Sequence, residues 1–123
     1  MEKQLKIVVA DDSSQLGESC TKTFKAYGMN VSVCPKDGLK LIERVKRENP
    51  DIVLADVFMP NLDIIGVIKN INENESKEKP MIMAMSSFDS QRLEKELIDA
   101  GVDYYFLKPF DVNVMAQRVI QIS

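Results

Sequence analysis

The chain has 123 residues, 45% of them hydrophobic and 28% charged, which suits one globular domain with a single core and leaves no room for a second. A net charge of -3 excludes the basic footprint of a nucleic-acid-binding domain. The absence of histidine excludes imidazole metal sites, histidine general bases and Ser-His-Asp triads, so chemistry is left to carboxylates, hydroxyls, lysines and thiols.

The opening Met1-Glu2-Lys3-Gln4-Leu5-Lys6 leads into Ile7-Val8-Val9-Ala10, too short an apolar stretch for a secretory leader and without a small-residue cleavage site. Nothing approaches the run of about 18 apolar residues that spans a membrane, and a cytoplasmic protein is expected. Ile7–Ala10 is also the first of four continuous apolar runs, with Ile52–Ala55, Met81–Met85 and Tyr104–Leu107. Such runs are expected of strands buried on both faces. Met29-Asn30-Val31-Ser32-Val33 alternates instead, as an edge strand with one wetter face would.

Helical patterns separate these strands. Leu16, Cys20, Phe24 and Tyr27 mark the first helix, closed by Gly28, and Leu39, Ile42 and Val45 mark the second, closed by Asn49-Pro50. Ile64, Ile65, Ile68 and Ile71 form the stripe of the third, followed by a charged, solvated loop from Asn72 to Lys79. Asp89–Ala100 turns only Leu93 and Leu97 inward before Gly101 and is expected to be the least firmly packed helix. Val112, Met115, Ala116 and Val119 mark the last. Cys20 and Cys34, with no CxxC spacing and no histidine partner, are read as half-buried free thiols. Strict alternation of strand and helix implies right-handed crossovers and a (βα)5 parallel sheet covered on both faces.

The strand ends carry the chemistry. Asp11-Asp12 follow the first strand, Asp56 the third, Ser86-Ser87 the fourth and Lys108-Pro109 the fifth. Open parallel sheets build their sites at carboxyl ends of strands, so these groups, tens of residues apart, should converge. A single aspartate there is often no more than a helix cap. Three carboxylates together repel and call for a hard divalent cation with oxygen ligands, while a lysine and a hydroxyl suit a phosphoryl group. The set is that of a phosphoryl-transfer site, in which a carboxylate can itself be the nucleophile.

The elements Asp11-Asp12, Asp56-Val57-Phe58-Met59-Pro60, Ser86 and Lys108-Pro109-Phe110 resemble, in order and over the whole chain, the receiver domain of two-component response regulators. The resemblance implies a doubly wound flavodoxin-like sheet of order 2-1-3-4-5. It makes Asp56 the phosphoacceptor and Mg2+ (or Mn2+) the cofactor, held by Asp11, Asp12, Asp56 and the backbone carbonyl of Phe58. Lys108 would pair with the phosphoryl group, Ser86 would be the switch hydroxyl and Tyr105 the aromatic that follows it. The donor would be a sensor histidine kinase or histidine phosphotransfer protein. The phosphorylated form would dimerise through the fourth helix, fifth strand and fifth helix. More narrowly, VVADDS, DVFMP and YYFLKPFD resemble the stage-zero sporulation regulators of spore-forming bacteria. Those are transcription factors, which implies that residues 1–123 are the receiver and that DNA binding belongs to an effector domain absent from this chain.

Two departures from the family pattern stand out. Ile64 follows Asp63 where glycine is usual, which puts the turn before the third helix in question, and Ser86-Ser87 replaces the commoner Thr-Ala. The resemblance places Phe58 and Phe88, two residues after the acceptor and the switch serine, beside the water path, so a long-lived aspartyl phosphate is expected. The Lys108-Pro109 bond is expected to be cis, so that the lysine points into the site while the chain leaves it. Two other readings compete. A Mg-dependent phosphatase with an aspartate nucleophile lacks its second acid/base aspartate, since positions 58 and 13 are Phe and Ser. A binding module that no longer takes a phosphoryl group is disfavoured by retention of the whole charged set.

Overall fold

The apolar runs become strands because the chain covers both of their faces. The computed structural model describes residues 4–73 and 79–122, in the order β1 (Lys6–Ala10), α1 (Ser14–Ala26), β2 (Asn30–Cys34), α2 (Gly38–Glu48), β3 (Ile52–Asp56), α3 (Ile64–Glu73), β4 (Met81–Ser86), α4 (Gln91–Ala100), β5 (Tyr104–Leu107) and α5 (Val112–Ile122). All strand pairs are parallel and the sheet order is β2-β1-β3-β4-β5. Successive strand residues face opposite ways, which divides the core in two. Val8, Ala10, Val53, Ala55, Ile82 and Ala84 pack with Leu41, Ile42 and Val45 of α2, Ile64, Val67 and Ile68 of α3, and Leu97 of α4. Ile7, Val9, Ile52, Leu54, Met83 and Met85 pack on the other side with Cys20 and Phe24 of α1 and Met115, Ala116 and Val119 of α5. No helix among the described residues is long and apolar enough to cross a membrane.

Several expectations shift. Tyr104–Leu107 is not buried on both faces: β5 pairs only with β4 and is an edge strand, partly exposed throughout. Leu39 is exposed while Leu41 is fully buried, because a spacing of three drifts 60° per step around a 3.6-residue helix and leaves the buried face. Tyr27 is exposed because it is already the C-cap of α1, with Gly28 behind it at φ 82°. Both thiols are fully buried rather than half-buried. Burial, with help from the Asp11 charge, pushes the Cys20 thiol up to about 11. Asn72 and Glu73 belong to α3, and 74–78 of the expected charged loop lie outside the described residues. The Lys108-Pro109 bond is cis, as expected.

The unusual turn before α3 is closed by other means. Asn61 takes the left-handed conformation at φ 71°, and the Asp63 carboxylate accepts the Gly66 N–H at 2.9 Å. This β3–α3 loop also holds the start of α2: Asn61 Nδ2 donates to the Asp37 carboxylate at 2.6 Å and the Gly38 N–H to the Pro60 carbonyl at 3.2 Å. Asp37 caps α2 by accepting the N–H groups of Leu39 and Lys40. The Lys40 N–H bond leads the effects that hold its carboxyl below the usual range.

Gly38 is the tightest point of this junction, since a Cβ there would run into the main-chain carbonyl of Leu62. At Gly66 the obstacle is only the Leu62 side chain, which can move. Urea denaturation should therefore show Gly38→Ala destabilised by about 1–3 kcal/mol, with Gly66→Ala closer to wild type.

Candidate functional site

The five carboxyl ends of the strands lie along one edge of the sheet, and the order reverses between β1 and β3, where α/β sheets form their sites. Asp11 leaves β1 and Asp56 ends β3, and both are buried, at 8% and 7% exposure. Lys108, just beyond β5, reaches between them. Its Nζ donates to Asp56 Oδ2 at 2.8 Å and to Asp11 Oδ2 at 2.9 Å. Burial works against the ammonium charge, but the hydrogen bonds and charges of Asp56 and Asp11 outweigh it and hold the Lys108 pKa above its usual value.

Backbone groups fix the carboxylates from behind. Asp11 Oδ1 accepts the Ser13 N–H at 2.7 Å and Asp56 Oδ1 the Phe58 N–H at 2.9 Å. Ser13, not Asp11 or Asp12, caps α1 by accepting the Leu16 N–H, so helix capping does not account for the acidic pair. Asp12 is exposed, and its Oδ1 accepts the Lys36 N–H at 2.9 Å.

Ser86 is buried at the end of β4, and its hydroxyl accepts the Phe88 N–H at 3.0 Å. The Tyr105 hydroxyl donates to the Phe88 carbonyl at 2.6 Å. Ser86 and Tyr105 thus grip the same peptide segment from two strands. The Phe88 ring meets that of Phe58 edge-on, with centroids 5.5 Å apart and planes at 80°, and both rings are at least half exposed. The Lys108 N–H donates to the Ser86 carbonyl at 2.8 Å, tying the last two strand ends together.

Sequence reasoning missed Lys36. It stands two residues beyond β2, and its Nζ lies 3.9 Å from Asp56 Oδ2. The available signal was its place at a strand end, the same one that singled out the other groups.

The donors are all oxygen, which suits a hard divalent cation. Among the described residues no group of three carboxylates or thiols forms a cage for a metal. Magnesium needs none, since it keeps its waters and takes one or two carboxylates together with phosphate oxygens.

The carboxyl edge of an open parallel α/β sheet thus carries buried carboxylates, an ammonium group and a hydroxyl. Residues 7–120 match the response regulator receiver domain family, and the chain belongs to it. The fold is shared with the chemotaxis response regulator CheY4 of Vibrio cholerae, at TM-score 0.86 and 18% identity over 98% of this chain and 100% of that one. The receiver domain of the Francisella response regulator 1452 matches at TM-score 0.84 and 26% identity, over 97% of this chain and 96% of that one. The BeF3-activated receiver domain of Klebsiella pneumoniae RstA matches at 0.81 and 25%, over 94% and 96%.

Lys108 is shared by two buried carboxylates, and its removal leaves Asp11 without its ammonium partner and Asp56 with only Lys36 at 3.9 Å. Lys108→Met should cost about 2 kcal/mol at neutral pH, below the full buried-pair value because a quarter of the lysine side chain is exposed. A raised lysine pKa contributes stability that is complete below the ordinary value of 10.5 and lost as pH rises through the higher folded value. Urea titrations should therefore show the gap between wild type and variant constant through neutral and mildly alkaline pH and closing above that value. A gap that widened there would contradict the assignment.

Proposed function

We propose that the protein is a phosphorylation-activated switch that accepts a phosphoryl group on Asp56 from the phosphohistidine of a sensor kinase or phosphotransfer protein. The observation that carries this reading is the Lys108 ammonium shared between buried Asp11 and Asp56 at the switch point of a receiver fold. Asp56 Oδ2 is the nucleophilic oxygen: as its bond to phosphorus forms, the P–N bond of the donor breaks and the imidazole leaves. Lys108 stabilises charge on the phosphoryl oxygens, and the Phe58 N–H holds the acceptor carboxylate in place. Asp11, Asp12, Asp56 and the Phe58 carbonyl are the groups that would hold Mg2+ or Mn2+, which supplies charge neutralisation when bound; the part of the Phe58 carbonyl rests on resemblance alone. The protein acts as a switch and turns over no separate substrate.

The switch is read from the grip on Phe88. If Ser86 turns its hydroxyl to the phosphoryl group, the Phe88 N–H loses its acceptor, and Tyr105, bonded to the same residue's carbonyl, responds. Helix α4 buries only Leu97 fully and is the element most easily moved. The proposed output is dimerisation through α4, β5 and α5, where Ile98, Leu107, Val114 and Ile120 are exposed. Transcription in sporulation, through a separate DNA-binding domain, is proposed on the strength of VVADDS, DVFMP and YYFLKPFD alone.

Incubation with labelled acetyl phosphate and Mg2+ should label the wild type and not Asp56→Asn; equal labelling of the two would refute the assignment. The edge-on Phe58–Phe88 pair offers water no polar group to orient it, so the acyl phosphate should persist for minutes or longer. Phe58→Asn should shorten that lifetime several-fold, and a wild-type half-life of seconds would count against the rings as a water barrier.

A further inference from the structure

Two ammonium groups, not one, address the proposed acceptor oxygen. Lys108 comes from the β5 edge of the sheet and Lys36 from beyond β2, the opposite edge, yet their Nζ atoms lie 2.8 and 3.9 Å from the same Asp56 Oδ2. Lys36 is not a wandering surface lysine. Its main-chain N–H is bonded to Asp12 Oδ1, only 31% of its side chain is exposed, and the adjacent Asp37 and Gly38 are bonded to Asn61 and Pro60.

We propose that Lys36 is a second phosphoryl-binding cation and that its charge weakens the site's hold on a divalent metal. The inference rests on the phosphoacceptor reading of Asp56. Asp11, Asp12 and Asp56 with Lys108 alone would leave two negative charges to attract a metal, and Lys36 leaves one. Phosphorylation then exchanges the single charge of a carboxylate for up to two on the phosphoryl oxygens. A second ammonium group offsets the added charge at the oxygen where it arises. The same group therefore acts in opposite directions on metal and on phosphoryl group, which a merely structural lysine would not do.

The test compares wild type, Lys36→Ala and Lys36→Arg, with Mn2+ affinity read by electron paramagnetic resonance and beryllofluoride binding by fluorine NMR. Lys36→Ala keeps the main-chain N–H on Asp12 and removes the side chain with its charge, while Lys36→Arg restores a cation of similar reach. It should bind Mn2+ about threefold to fivefold more tightly and beryllofluoride more weakly by a similar factor, the scale of a partly exposed charge pair. Lys36→Arg should stay near wild type on both. Unchanged or loosened Mn2+ binding in Lys36→Ala overturns the proposal, as does an arginine variant that behaves like the alanine one. Failure of the wild type to take up label from acetyl phosphate would count against the phosphoacceptor reading instead, and the Mn2+ comparison would still decide the role of Lys36.

Discussion

The ammonium group of Lys108, shared between Asp11 and Asp56, is the constraint on which this end of the molecule depends. Two carboxylates buried side by side repel, and the cost of taking them out of water is not recovered without a cation and further hydrogen bonds. The cation comes from the far edge strand, so β5 must lie beside β4 and its end must stay close to the end of β4. The Lys108 N–H on the Ser86 carbonyl and the register pairing Ser86 with Leu107 secure that. Net stabilisation from such a cluster is small by comparison with the two apolar layers beneath it. Its contribution is to specify which strand ends meet.

That arrangement also couples the site to the surface. Phe88 is bonded at its N–H by Ser86 and at its carbonyl by Tyr105, while its ring rests on Phe58. Ser87, Phe88 and Asp89 are all exposed, so few apolar contacts oppose a rearrangement of the loop. Beyond it, α4 is tethered chiefly by Leu97, with Leu93 only partly covered and Ile98 exposed. In the proposed switch, a change at the Ser86 hydroxyl would therefore meet little resistance on its way to α4 and β5, with the well-buried strands β1, β3 and β4 as the rigid frame.

Much of this was legible in the sequence because both-face burial leaves a strong mark. Ile7–Ala10 and Ile52–Ala55 have no polar residue to give to solvent, and the first polar residue after each falls where the strand reaches the site. Tyr104–Leu107 is equally apolar yet forms an edge, because hydrophobicity alone does not report how many neighbours a strand has; the ring hydroxyls of Tyr104 and Tyr105 were the better clue. Leu39 misled for a geometric reason, the drift of a three-residue spacing around the helix. The bond between Asn61 and Asp37 joins loops 24 positions apart and exists only once α2 and α3 are packed, so no local pattern announces it.

Lys36 illustrates how a charge placed beside the site hides in a sequence that is otherwise informative. It sits between Pro35 and Asp37, in what reads as a polar turn leading into a helix, and lysines in such turns usually face water. Three tertiary bonds remove that freedom: Lys36 N–H to Asp12, Asn61 to Asp37, and Gly38 N–H to Pro60. The first ties the β2–α2 loop to the end of β1, and the other two tie it to the loop after β3. Held at both sides of the switch point, the loop keeps the Lys36 backbone within reach of Asp56. The absence of a side chain at Gly38, where a Cβ would strike the Leu62 carbonyl, is what lets the two loops close this far. The position of a charge beside the proposed acceptor thus depends in part on backbone packing at a glycine two residues along the chain.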